Sequence, residues 1–195
     1  RLASLTENSE ARRVLDGVYD RVVAECLSVG SWNFAMETIR ADSDTGVTPA
    51  FGYTEVFAKP EDWVRTTAVS EDEYFNFPLL QYHDDVNYWS AHNSPIYVRY
   101  VSNDTGIGLE LSRWPIAFTR YVELELAWRV CERLTQNGSL KDKIGKDRDR
   151  ARRAALNQDA MNEAQPKFPP PGNWTLARGG RASRGDRGNR GSLTG

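Results

Sequence analysis

Apolar side chains recur every three or four residues in two long stretches of the chain. Valines spaced four apart mark residues 9–29, and Ser9 stands before them as a candidate N-cap. Residues 115–134 carry a broader apolar face on the same spacing, with Pro115 in the position of a first helical turn. Both stretches are predicted to be α-helices that bury one side, the second of them in a helix bundle or a subunit contact.

A third stretch, residues 139–165, has helical spacing but few apolar residues. Lys, Arg and Asp fill many of its positions, and its apolar stripe consists of Leu140, Ile144, Ala151, Ala154 and Ala155. A stripe this thin gains little from burial within its own chain. The pattern therefore predicts a helix that is either a solvated arm or a surface that packs against neighbouring copies.

Between the helices, apolar and polar residues alternate in segments typical of β-strands. Residues 53–58 alternate in this way, and residues 64–69 are a second candidate strand. Pro60 lies between them, and it ends the first strand because it cannot donate a ladder hydrogen bond. Since acidic residues follow it directly, a short helical turn is predicted to begin at Pro60.

Two further strand-like segments, residues 86–91 and 96–101, are separated by only four residues. The connection is His92-Asn93-Ser94-Pro95. Asn, Ser and Pro are turn residues, so the two segments are predicted to pair as a β-hairpin.

Together these elements predict an α+β fold, mainly an α-helical bundle of about four helices with an inserted small antiparallel β-sheet or hairpin. The predicted body covers residues 6–165, with the β insertion at about residues 36–101. Residues 166–195 are rich in Pro, Gly and Arg, so they are predicted to be an extended C-terminal tail.

The predicted tail is basic, whereas the rest of the chain is acidic. Residues 166–195 hold one Lys and five Arg against a single Asp, a formal charge of +5; because the whole chain is at −2, residues 1–165 carry −7. Basic tails bind acidic protein surfaces or nucleic acid, and both alternatives stay open here. The candidate binding residues of the tail are Phe168, Trp174, Arg178, Arg181, Arg184, Arg187 and Arg190.

Residues suited to catalysis or metal binding are scarce. The chain has two histidines, and His83-Asp84-Asp85 is a candidate metal or acid/base cluster, although three adjacent ligands do not converge easily on one ion. Glycine-rich phosphate loops, zinc-protease motifs and serine-hydrolase motifs are absent from the sequence. We therefore expect no enzyme, no metal and no cofactor.

Two further features bear on the cellular compartment in which the protein resides. Cys26 and Cys131 are read either as a disulfide or reactive thiol, or as two buried reduced residues on apolar stripes, and the second reading is favoured. No run of about 20 apolar residues is present, so no membrane span is expected. An intracellular protein is predicted.

Five segments occur in an order that is similar to one known family. They are the helix opening at residues 11–15, Trp32-Asn33-Phe34-Ala35, the strand and turn at residues 53–65, the strand at residues 95–101, and Trp114-Pro115 leading to Phe118. Over about residues 6–165 the chain resembles the tail tubular protein A family, the head-to-tail adaptors of short-tailed bacteriophages and their relatives. The family packing residues implied by this resemblance are Trp32, Phe34, Tyr53, Pro60, Trp63, Trp114 and Phe118.

The resemblance implies a virion protein of the neck or tail that is assembled in the host cytoplasm. Subunits of the family form a ring, typically of twelve, between the portal protein and the tail tube or nozzle protein. Genomic DNA would pass through the ring during ejection without sequence-specific binding, and an acidic body suits such a channel wall. The competing hypotheses are a nucleic-acid-binding module that uses the Gly/Arg tail and, last, an enzyme built on His83.

Overall fold

Three α-helices are present in the computed structural model, which describes residues 9–49 and 52–162. Helix α1 spans Glu10–Ser28, and the Ser9 hydroxyl caps it by accepting a hydrogen bond from the Arg12 amide at 3.4 Å. Helix α2 spans Ile116–Thr135, and helix α3 spans Gly138–Asn162. The first two lie within one residue of their predicted bounds, because their apolar faces are long and regular. Residues 163–165 of the third prediction fall outside the described part of the chain.

Between α1 and α2, the described residues form six β-strands. They are β1 (Met36–Ala41), β2 (Glu55–Ala58), β3 (Trp63–Ser70), β4 (His83–Asp84), β5 (Tyr88–Ala91) and β6 (Ile96–Ser102). The strands form two three-stranded antiparallel sheets, in the order β1–β6–β3 for the first sheet and β2–β5–β4 for the second sheet.

The predicted bundle of about four helices with a small inserted sheet or hairpin is therefore wrong. The described residues hold three α-helices, and the two sheets form a substantial part of the fold. The segment at Pro60 is a turn rather than a helix, closed by the Trp63 amide donating to the Pro60 carbonyl at 3.2 Å. Proline followed by acids suits a helix start, but here β3 begins at once and leaves no room for one.

The predicted hairpin between residues 86–91 and 96–101 is also wrong. Strand β5 is the central strand of the second sheet, and β6 is the central strand of the first sheet. The four residues that join them carry the chain from one sheet to the other. Alternation of apolar and polar residues predicts which face of a strand is buried, but it does not predict which strand it pairs with.

Strand β6 contributes to two hydrophobic cores because its side chains alternate between the faces of the first sheet. Val101 packs in the helical core, and Ile96 and Val98 pack in the sheet core. The helical core consists of Val22, Val23, Cys26, Leu27, Trp32, Ala35, Val101, Phe118, Tyr121, Val122, Ala151 and Ala155. The sheet core consists of Ala41, Phe57, Val69, Trp89, Ala91, Ile96 and Val98. The first sheet thus lies between the helices and the second sheet.

Helix α3 packs against its own chain, in contrast to both readings of its thin stripe. Ala151 and Ala155 are buried in the helical core, and Leu156 packs beside them. Gly30, which follows α1, permits this approach, since a Cβ there would lie 2.7 Å from the Leu156 side chain. Small side chains bury little area, but they let helices pack closely. A count of large apolar residues along the helix does not predict this close packing.

Candidate interaction surface

Trp32 and Asn33 connect the end of α1 to the last turns of α3. The buried Trp32 indole donates to the Cys26 carbonyl at 3.0 Å. The Asn33 side-chain amide donates to the Asp159 carbonyl at 2.9 Å, and its backbone N–H donates to the Asp159 carboxylate at 3.0 Å. Asn33 lies in a 3-10 turn over Asn33–Ala35, and Trp32 directly precedes that turn. The pair fastens α3 to the body.

Four of the predicted packing residues meet around Phe118 at the start of α2. Its ring centroid lies 4.8 Å from that of Trp32, 4.7 Å from that of Phe34 and 4.9 Å from that of Trp114. Tilted and edge-to-face arrangements at these distances are the favoured geometries of aromatic pairs. The Trp114 indole N–H also donates to the Gly108 carbonyl at 2.9 Å.

The other three predicted packing residues lie around the sheets, away from this cluster. The Tyr53 ring lies 5.0 Å from the His92 ring. The Trp63 and Trp89 indoles both donate to the Thr66 hydroxyl, at 3.1 and 2.9 Å. Pro60 closes the turn before β3. Trp63 therefore packs against the sheet core, whereas the four aromatic residues that meet at Phe118 lie in or against the helical core.

Lys59 lies within the strand-and-turn motif of residues 53–65, but it is not among the packing residues that the resemblance implied. Its side chain is only 3% exposed and forms an ion pair with Asp84. The ammonium also donates to the Asp85 carbonyl and lies 3.5 Å from the Trp63 ring centroid. A buried lysine without such partners would be costly, so this one is held in place to join the turn to the second sheet.

Asp62 is a second structural residue that the sequence analysis missed. Its carboxylate accepts a hydrogen bond from Ser102, and it lies 3.2 Å from the Tyr100 hydroxyl, which is also 3.1 Å from Glu37. Burial, with the charge of Asp62 next in importance, raises the pKa of Tyr100. The phenol therefore remains a hydrogen-bond donor that links the turn to the first sheet.

Glu125 joins the three helices through arginines. Its carboxylate is buried and pairs with Arg129 at 2.9 Å and with Arg148 of α3 at 3.6 Å. Arg129 pairs in addition with Glu25 of α1. The four-residue spacing of Glu125 and Arg129 on one helix predicts their ion pair from the sequence. The pairs between different helices could be identified only once the fold was known.

The connection between β3 and β4 presents large apolar side chains to solvent. We call residues 71–82, between β3 and β4, the β3–β4 segment. Within it Tyr74 is 75% exposed, Phe77 is 68% exposed and Leu80 is 86% exposed. Residues 71–85 also contain five carboxylates and no Lys or Arg, so their formal charge is −5. Large exposed aromatic and aliphatic groups beside charges are typical of interaction surfaces.

The backbone of this segment is held in shape by Asp72. Its carboxylate accepts hydrogen bonds from the amides of Phe77 at 2.9 Å and Asn76 at 3.2 Å, and from the Ser70 hydroxyl at 2.7 Å. Desolvation raises the pKa of this carboxyl, but the hydrogen bonds outweigh it and lower the pKa to about 2. The exposed side chains therefore stand on an ordered loop.

A groove of about 270 Å³ runs beside the β3–β4 segment. Its lining residues are Glu71, Pro78, Leu79, Leu80, Gln81, His92 and Asn93. It has a carboxylate from Glu71 and an apolar wall from Pro78 and Leu80. Phe75, in the same segment, is stacked by the guanidinium of Arg99 from β6, which lies 4.0 Å from the ring centroid.

The residues considered for catalysis do not assemble a reactive site in the described part of the chain. His83 is exposed and lies 3.0 Å from Asp85, and no group of three His, Cys, Asp or Glu that could hold a metal ion occurs among residues 9–49 and 52–162. Cys26 and Cys131 are both buried and free, as the favoured reading predicted. Burial raises the pKa of Cys26 to about 12, so its thiol stays protonated.

The candidate tail residues, from Phe168 and Trp174 to the five arginines, lie outside the described residues. Among the helices that are described, none combines the length and apolar character needed to cross a membrane. Neither a comparison with models of protein families nor one with curated proteins finds a match for this chain.

Proposed function

We propose that this chain is a non-enzymatic virion protein, a head-to-tail adaptor that forms a ring between the portal and the tail tube or nozzle. The observation that carries the proposal is that the polar atoms of its most distinctive residues form hydrogen bonds and ion pairs within the chain itself. Trp32 and Asn33 bind the ends of helices, and Lys59 is held between the Trp63 ring, the Asp84 carboxylate and the Asp85 carbonyl. These groups hold the architecture together and are not available to a substrate.

Two further features support an assembly role. The β3–β4 segment offers exposed apolar side chains on an ordered loop, as a subunit contact requires. Residues 1–165 carry a formal charge of −7, which suits a channel wall that does not grip passing DNA. A ring needs a heterologous interface that closes by rotation, so two different faces of the chain must be complementary.

The experiment is cryo-electron microscopy of the full chain mixed with the portal protein encoded in the same genome. We expect class averages with a ring of this chain stacked on one end of the portal. A full-length variant with the five tail arginines changed to glutamine tests whether the tail contributes to docking. The adaptor proposal is abandoned if the chain stays monomeric and shows no affinity for the portal.

The second candidate is nucleic-acid binding through the tail, favoured by five arginines within residues 178–190. If each arginine contacts a phosphate, the logarithm of the binding constant falls with the logarithm of salt with a slope of about −4. Tail-dependent binding with that slope, together with no portal binding, selects this alternative.

A further inference from the structure

We propose that the groove beside the β3–β4 segment is a docking site for an extended, arginine-bearing segment from a second copy of this chain. The inference rests on the proposed ring, in which copies adjoin one another. It adds the location of one contact and the chemistry of its occupant.

The groove has the size and polarity for an arginine side chain. At about 270 Å³ it falls at or below the lower end of small-molecule pockets, so it suits one or two side chains better than a ligand. Pro78 and Leu80 can cover the aliphatic stem of an arginine, while Glu71 receives its guanidinium. The Glu71 side chain is exposed and therefore open to such a pair.

The flanking rings favour arginine over lysine. A planar guanidinium stacks on aromatic faces, and this segment already holds one such stack, between Arg99 and Phe75. Tyr74 and Phe77 leave most of their surface in solvent, so their rings are available to further arginines.

The occupant follows from charge and spacing within the same chain. Residues 71–85 carry a formal charge of −5, one unit of which Lys59 neutralises at Asp84, and residues 166–195 carry +5. Arginines stand at every third position from Arg178 to Arg190. In a polyproline II conformation, which has three residues per turn, such a series presents all its side chains on one side. One row of guanidinium groups could therefore follow an acidic, aromatic surface.

The expected contact is weak by itself. A few exposed ion pairs and ring contacts correspond to a dissociation constant on the order of 1 mM between separate molecules. In a closed ring every copy both offers and receives a segment, so many weak contacts act together. The docking site thus fits a ring in which many copies make the contact at once, rather than a stable free dimer.

The test uses isotope-labelled full-length chain whose five tail arginines are changed to glutamine, so that its own arginines do not compete. The ligand is a synthetic peptide of residues 174–191. We expect NMR shifts in residues 71–81 and 92–93, and binding that is lost on raising the salt concentration. A peptide with Gln for every Arg should bind about tenfold more weakly. A peptide with Lys for every Arg should bind several-fold more weakly than the arginine peptide.

Two receptor variants complete the design. Changing Glu71→Gln with Leu80→Ser should remove the shifts, whereas Asp20→Asn on α1, an exposed acid outside the groove, should leave them unchanged. The proposal is overturned if the glutamine peptide binds as well as the arginine peptide, or if the lysine peptide does. It is also overturned if the shifts fall on the helices. None of these results depends on ring formation, so a negative outcome leaves the adaptor proposal to its own experiment.

Discussion

At the scale of single residues, a buried lysine is the most unusual feature of the sheets. Lys59→Met removes the cation between Trp63 and Asp84 and leaves a half-buried carboxylate without its partner. We expect a loss of about 1–3 kcal/mol in the free energy of unfolding, below the value for a fully buried pair because Asp84 is partly exposed. Urea denaturation measures it.

The matched control is Lys141→Met on α3. Lys141 also combines an acid, Glu132, with an indole ring, that of Trp128, but its side chain is 29% exposed. Its loss should be clearly smaller, because exposed ion pairs contribute little. Equal losses for the two lysines would contradict the structural role assigned to Lys59.

Gly108 gives a second residue-scale prediction. A Cβ at this position would lie 1.9 Å from the Ser102 carbonyl oxygen, so Gly108→Ala must displace backbone at the end of β6. We expect a loss of about 2 kcal/mol or more, since overpacking against backbone is not relieved by a side-chain rotation. Gly17→Ala is the control: it lies in α1 with open space around it and should gain up to about 1 kcal/mol of helix stability.

At the scale of elements, the outcome of sequence reasoning depended on how local each signal is. The bounds of α1 and α2 followed from apolar residues four apart, and β2 and β3 followed from alternation. The pairing partners of β5 and β6 could not be predicted from alternation, because each of these strands pairs with at least one strand that is distant in the sequence. The groove of the β3–β4 segment also escaped prediction, because the Asp72 hydrogen bonds that shape the segment come from residues without periodic spacing.

The β3–β4 segment makes a prediction about pH. The Asp72 carboxyl has its pKa lowered from 3.8 to about 2 in the folded chain. A lowered folded-state pKa means that the ionised form stabilises the segment above pH 4, and that this contribution is lost as pH falls from about 4 to about 2. NMR titration of the carboxyl carbon should give the low value, and Ser70→Ala should raise it by removing one donor. A titration near 3.8 in the unchanged chain would show that the loop is not held by Asp72.

At the scale of the whole molecule, the sequence shows large aromatic residues near the ends of elements, but it does not show which of them meet. Trp32, Phe34, Trp114 and Phe118 are large aromatics at element ends, and they meet in one cluster. Asp62 and Glu125 were missed, since a charged residue at a buried junction looks like any surface acid until its partners are known.

The two cores share strand β6, so the described body should unfold as one unit. Val22→Ala in the helical core and Val98→Ala in the sheet core should each lower the free energy of unfolding by about 1–3 kcal/mol. Because Val98 and Val101 belong to the same strand, amide hydrogen exchange in α2 and in β5 should accelerate together in both variants. Val86→Ala, at a side chain that is 84% exposed, should change neither the free energy of unfolding nor the hydrogen exchange. Acceleration confined to β5 in the Val98 variant would mean that the second sheet opens separately from the helices.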